Sequence, residues 1–257
     1  MPDNADIESE AVEQVEQPSP EAQQRIAVRF VERARRYAGR GNHRAAIEAF
    51  RNALQLTPTN YELFFELGNA YSSIADHATA TVMYEAVVEQ LDAWPEAHYN
   101  LANSLLQTEQ VERAEEAYKK AIELREDFSE AHDNLGCAYN RLGRYDEAIA
   151  CHERALEIQP DSAPTYDNLG YARYKLDDLD AAEAAHRKSM ELNDADANAH
   201  YNLGLVQAKR GDVDGAIECF RHAFAQDDNL RAFAAKDDDT ASLRGNADFD
   251  ALVAQAE

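Results

Sequence analysis

Lysine is scarce in this chain. It supplies only 6 of 25 basic residues, against 49 acidic ones, and the net charge is −24. A surface this acidic repels nucleic acid and anionic membranes, so neither is an expected partner. Acid-rich, lysine-poor composition suits a salt-adapted, halophilic source; an ordinary acidic bacterial protein fits it as well. Cysteine is scarce too. Cys137, Cys151 and Cys219 are odd in number and lack metal-ligand spacing, which points to reduced thiols in a cytoplasmic compartment. No apolar run approaches membrane-spanning length, and the first residues lack the basic start and apolar stretch of a secretory signal. Strand-like alternation is missing, which leaves an all-α chain. Nucleophile motifs, phosphate loops and acid pairs are missing as well, so no catalytic residue, metal or cofactor is assigned.

What is present is a repeat. From Ala27 the sequence returns to itself every 34 residues, six times, without insertion or deletion. The clearest copies start at Pro95 (Pro-Glu-Ala-His-Tyr-Asn-Leu-Ala), Ser129 (Ser-Glu-Ala-His-Asp-Asn-Leu-Gly), Ala163 (Ala-Pro-Thr-Tyr-Asp-Asn-Leu-Gly) and Ala197 (Ala-Asn-Ala-His-Tyr-Asn-Leu-Gly). A strict period of this length marks a solenoid and turns the functional question toward an extended surface. Small residues recur at the eighth place (Ala34, Gly68, Ala102, Gly136, Gly170, Gly204), the twentieth (Ala46 to Ala216) and the twenty-seventh (Ala53 to Ala223). They let two antiparallel helices approach, while leucines at the seventh place and aromatics at the twenty-fourth fill the space around them. Gly41, Gly143 and Gly211 fall where the first helix of a unit ends. Pro58 and Pro160 stop the second, and Asn60 and Ser162 stand as N-caps of the next.

On these residues the chain resembles the tetratricopeptide repeat (TPR) family over Ala27–Leu230. The resemblance implies a right-handed α-solenoid of helix-turn-helix units, at 27–60, 61–94, 95–128, 129–162, 163–196 and 197–230. It also implies that the first helix of each unit lines the inner face. The first copy departs from the pattern, with Arg33 where the others carry Leu; a terminal unit has no outer neighbour, so a polar residue is reasonable there.

The ends differ from the array. Residues 1–24 hold seven acids and no Lys or Arg, and are expected to form an acidic disordered tail. Ser19-Pro20-Glu21 nevertheless reads as a helix start, which lengthens the first helix. Residues 231–257 are expected to cap the array, with short helices over Arg231–Lys236 and Asp248–Ala256.

In the family, places two, five, six, nine, twelve and thirteen point inward. The sixth place gives Asn100, Asn134, Asn168 and Asn202, and carries Glu32 and Glu66 in the first two units. A ladder of amides offers donors and acceptors to a peptide main chain, and a similar ladder in another family member holds peptide backbones. Asn is also simply common at this place in TPR units. Phe65, Tyr99 and Tyr201 at the fifth place, with Asn69, Asn103 and Tyr171 at the ninth, add the aromatic and polar area typical of recognition surfaces. Arg141, Lys175 and Lys209 at the thirteenth form a row of cations suited to an acidic feature of a ligand; local pairing with Asp and Glu is the other reading. The fifth place never carries Lys and the sixth never Arg, so the carboxylate clamp of TPR cochaperones is not expected.

Between Arg25 and Arg51 eight Arg face two Glu, a local balance of +6. Arg29, Arg33, Arg36 and Arg40 share one side at helical spacing and read either as a docking patch for an acidic partner or the chain's own acidic tail, or as a solvated outer face. His98, His132 and His200 alternate with aromatics at the fourth place and read as packing residues, as do His152 and His186 at the twenty-fourth. The expected function is a non-enzymatic scaffold holding a peptide or protein segment along its inner face. Self-assembly into homo-oligomers through the Arg-rich first unit is the alternative.

Overall fold

The computed structural model describes residues 18–254, and every regular element in them is helical. The chain forms two compact units, Met1–Ala75 and Asp76–Glu257. The first contains α1 (Pro20–Ala38), α2 (His43–Leu56) and α3 (Tyr61–Ser72). Ser19 caps α1 through its side chain, which accepts from the Ala22 N–H at 3.3 Å, and Pro20 follows in the first turn. Residues 20–24 are therefore helical, which corrects the tail boundary at 24; residues 1–17 of that tail lie outside the described residues. Ala27 and Ala34 of α1 are buried, as are Ala46, Ala49, Phe50 and Ala53 of α2, so small side chains bring the two helices together. Arg33 is exposed, its guanidinium 5.8 Å from the Phe30 ring.

The second unit runs through α4 (His77–Gln90), α5 (Pro95–Gln107), α6 (Val111–Leu124), α7 (Ser129–Arg141), α8 (Tyr145–Ile158), α9 (Ala163–Lys175), α10 (Leu179–Leu192), α11 (Ala197–Arg210) and α12 (Val213–Gln226). Two short helices, α13 (Asn229–Ala234) and α14 (Ala247–Val253), flank a 3-10 segment, Asp238–Leu243. Here α5 touches α7, α7 touches α9 and α9 touches α11, whereas the second helices of successive repeats approach less closely. The first helices thus line a shared inner face.

The turn inside each repeat follows one backbone rule. All six residues at the fifteenth place adopt a left-handed conformation: Gly41, Gly143 and Gly211 at φ 73°, 71° and 84°, and Ala75, Glu109 and Asp177 at φ 60°, 61° and 65°. Three copies thus hold a side chain where glycine is favoured, a strain of about 1 kcal/mol each. The next residue caps the second helix. Asn42, Asp76, Asp178 and Asp212 accept from the backbone N–H three residues on, at 3.0–3.3 Å. Asn60 and Ser162 do occupy N-cap positions but make no side-chain cap bond, contrary to expectation. Ser162 Oγ lies 2.8 Å from Thr165 Oγ1 instead.

The eighth and twenty-fourth places are matched in shape. A Cβ on Gly136 would stand 2.5 Å from the His152 ring, one on Gly170 2.6 Å from the His186 ring, and one on Gly204 3.0 Å from the Phe220 ring. Glycine inside a helix costs about 1 kcal/mol relative to alanine, and seating a fully buried ring against the backbone offsets it. Histidines at the fourth place close the link between repeats. The Nε2 atoms of His98, His132 and His200 lie 2.9, 3.0 and 3.0 Å from the carbonyl oxygens of Asp92, Glu126 and Asp194.

The open end of the array is covered as expected, by helices near the anticipated ranges. Leu243, Phe249 and Leu252 enter a core with Phe220, Phe224 and Ala234. Burial of each large side chain contributes about 1.5–3 kcal/mol. The intervening 3-10 segment was not anticipated. It lies against α11, on the inner-face helix of the last repeat.

Candidate interaction face

The inner face of the second unit is knit together by the residues that the repeat places there. In the third repeat Tyr99 and Tyr118 stand 6.1 Å apart between ring centroids, and Tyr118 Oη donates to Asn103 Oδ1 at 2.6 Å. In the sixth, Tyr201 meets Phe220 edge to face at 5.1 Å. Between them the same two places carry Asp and His. Asp133 Oδ1 lies 2.7 Å from His152 Nδ1, and Asp167 Oδ1 lies 2.7 Å from His186 Nδ1. Both imidazoles are fully buried, so each ring N–H must be satisfied by a protein acceptor, and the carboxylate supplies it. From the third repeat to the sixth the fifth and twenty-fourth places are therefore coupled: aromatic with aromatic, or carboxylate with imidazole.

The asparagine ladder joins neighbouring repeats. Asn134 Nδ2 donates to Tyr99 Oη at 3.0 Å and to Asn103 Oδ1 at 2.9 Å. Asn168 Nδ2 stands 3.4 Å from both carboxylate oxygens of Asp133. Asn202 Nδ2 reaches those of Asp167 at 3.2 and 3.1 Å. Each of these three amides thus spends its N–H groups on the preceding repeat, and its oxygen remains the group suited to accept from a peptide N–H. Asn100, Tyr99, Asn103 and Tyr171 are half-buried on α5 and α9. Phe65 and Asn69 are half-buried on α3, in the first unit.

The cation row is engaged locally. Arg141 Nη1 donates to the Leu106 carbonyl at 3.1 Å, near the end of α5. Lys209 pairs with Asp177 at 2.8 Å, and its ammonium lies 4.8 Å from the Tyr174 ring centroid. Lys175 reaches Asp239 at 2.9 Å, and its Nζ stands 5.6 Å from the Tyr171 ring and 5.7 Å from the Tyr174 ring. Burial opposes the charge on Lys175, but the bond to Asp239 together with the charges of Tyr171, Asp239 and Tyr145 outweighs it and raises the pKa. Tyr201 is enclosed, at 4% exposure, and donates to Asp237 at 2.6 Å. Burial, then the neighbouring Asp237, pushes its phenol above the ordinary range. Both acids belong to the C-terminal segment, which sequence reading treated as a cap and did not place on the inner face.

Asp133, Cys137 and His152 bring donor atoms within 4.8 Å of one another, a set able to meet a metal ion. The fifth repeat keeps the same Asp–His bond with Tyr171 in place of the cysteine, so that bond stands without a third donor. Burial pushes the Cys137 thiol up to about 12, and those of Cys151 and Cys219 to about 11, which leaves all three poor nucleophiles near neutrality. In the first unit Arg29, Arg33 and Arg36 are exposed along α1, and Arg40 is exposed in the turn that follows it. The neighbouring Arg35 pairs with Glu66 at 2.6 Å.

The Tetratricopeptide repeat profile matches residues 95–161 and 127–195, and a second such profile matches 197–230; a TPR repeat profile matches 34–73. Among solved structures, MamA is similar at 24% identity and TM-score 0.62, covering 66% of this chain and 92% of that one. YrrB, described as a TPR protein with an unusual peptide-binding site, is 22% identical with TM-score 0.59, over 74% of this chain and 98% of that one. The Cut9–Hcn1 hetero-tetramer of the APC/C is 18% identical with TM-score 0.68, over 88% of this chain and 42% of that one. Among curated proteins, none matches the sequence. No helix among the described residues is long and apolar enough to cross a membrane.

Proposed function

The chain belongs to the tetratricopeptide repeat family, and we propose that it is a non-enzymatic scaffold that holds an extended segment of a partner protein along its inner face. The observation that carries this reading is the orientation of the amide ladder. With their N–H groups engaged by the preceding repeat, Asn134, Asn168 and Asn202 are held in fixed positions and present oxygens at the rise of one repeat. Preorganised acceptors on successive repeats suit main-chain N–H groups and ask little of the partner's side chains. Half-buried Tyr99, Asn103 and Tyr171 beside them supply amphipathic contact area. The peptide-binding site named for the similar YrrB is in keeping with this use of the fold.

The groups on this face serve the protein's own packing. The imidazoles of His152 and His186 are sealed, and the thiol of Cys137 is held protonated. That set supports binding better than catalysis. Three free cysteines suit a reducing compartment such as the cytoplasm.

A pull-down from the source organism, comparing the wild-type chain with Asn134→Ala/Asn168→Ala, tests the reading. Loss of a specific partner while helix content stays at the wild-type level is the expected result. Full retention of every partner would move the interaction off the inner face.

The exposed arginines of α1 and the turn after it favour a second, compatible contact. Arg29, Arg36 and Arg40 form no ion pair among the described residues, in a chain whose net charge is −24. An acidic neighbour, including a second copy of this chain, would dock there through salt-sensitive attraction. A sedimentation mass that rises at low salt and falls back in Arg36→Glu/Arg40→Glu is the expected sign; a monomer at high concentration and low salt would remove it.

A further inference from the structure

The C-terminal segment does more than cover the last repeat. Between α13 and the 3-10 segment the chain turns so that Asp237 and Asp239 face the inner helices, while Asp238 between them stands fully in solvent. Asp237 Oδ2 accepts from Tyr201 Oη at 2.6 Å, and its other oxygen accepts from the Asp239 N–H at 3.0 Å. Asp239 Oδ2 accepts from Lys175 Nζ at 2.9 Å. The two receiving groups come from α11 and α9, one repeat apart. Tyr171 and Tyr174 flank the ammonium, and the Phe233 ring lies 5.7 Å from that of Tyr201. An aromatic-walled ammonium beside a buried phenol is a receptor for two carboxylates at alternate residues of a turn.

We propose that the inner face of the fifth and sixth repeats is a recognition site for an acidic Asp-x-Asp segment, and that residues 237–239 are its resident ligand in cis. The tether holds that ligand at high local concentration, so an acidic peptide from outside competes at a disadvantage. Thr240 and Leu243, with 0% and 1% exposure, anchor the turn from its far side and keep it seated. Thr240 Oγ1 donates within that anchor, lying 2.8 Å from both the Ala234 and Asp237 carbonyls. Neutralising the two seated carboxylates removes their charge from Lys175 and Tyr201 while the anchor keeps the fold, so an incoming acid competes for those two groups on better terms. The inference rests on reading the inner face as peptide-binding, but it concerns a different stretch from Asn134 and Asn168.

The test uses the full chain and a blocked peptide, Ala-Lys-Asp-Asp-Asp-Thr-Ala, the sequence of residues 235–241. Asp237→Asn/Asp239→Asn is the opening variant; Asn at 237 keeps the oxygen that caps the 3-10 segment. Asp238→Asn is the control for charge alone. Binding is read by chemical-shift titration at constant salt. The expected result is at least a tenfold tighter peptide affinity in the double variant than in wild type or Asp238→Asn. That gain is lost when Lys175→Met is added, and lost when the first and third Asp of the peptide become Asn. A double variant with wild-type helix content that binds no tighter than Asp238→Asn overturns the proposal, as does equal binding of the Asn-substituted peptide. Failure of Asn134→Ala/Asn168→Ala to alter partner binding, with the peptide result standing, would remove the general groove reading and leave this site in place.

Discussion

The middle and the end of the inner face use one set of repeat places in two ways. Along α5 and α7 the fifth and sixth places bond to each other across repeats. Along α9 and α11 the same face is met by the protein's own C-terminal segment, whose acids reach Lys175 and Tyr201. The difference teaches that a repeat place fixes where a side chain points but not what it meets. Asn134 and Tyr201 both face inward; one holds the ladder and the other holds a turn 36 residues further along the chain.

Substitutions sharpen this contrast. Leu243→Ala should have the largest effect, since the side chain is 1% exposed and anchors the turn. A loss of about 2–4 kcal/mol is expected in urea unfolding. Hydrogen exchange should rise in α13 and the 3-10 segment before it rises in α7. Equal rises in both regions would mean that end and middle are one cooperative block. Tyr201→Phe removes only the donor to Asp237 and should cost about 1–2 kcal/mol. It should also lower the salt sensitivity of the end without changing the middle. Asn134→Ala should cost about 1 kcal/mol, since two side-chain bonds to the preceding repeat are lost at a half-buried place. A cost above 3 kcal/mol would make the ladder chiefly structural. The smallest effect, opposite in sign, belongs to Glu109→Gly, which relieves a left-handed backbone at φ 61°. It should stabilise by about 0.5–1 kcal/mol. The mirror substitution Gly143→Ala should destabilise by a similar amount.

Much of this fold was legible because a strict period turns every position into a comparison among copies. The helix pairs, the small residues at their crossings and the glycines at the turns follow from it. The turn rule was only half visible, since Ala75, Glu109 and Asp177 adopt the same backbone without glycine. Its companion, an Asx side chain capping the second helix, is written at Asn42, Asp76, Asp178 and Asp212. The coupling of the fifth and twenty-fourth places was legible in principle. Asp133 and Asp167 occur where the later place holds His152 and His186, and aromatics occur together in the second, third and sixth repeats. Reading each place alone hid it. The contact of Asp239 with Lys175 was beyond reach, because it joins residues 64 apart outside the repeat register. Periodicity has no say there.

The most direct measurement of the central claim is site-specific photo-crosslinking in the source organism, with the photoreactive residue placed in turn at Asn100 on α5 and at Glu157 on α8. The account predicts partner adducts from Asn100 and none from Glu157. Adducts from Glu157 alone would contradict it and move the interaction to the second helices.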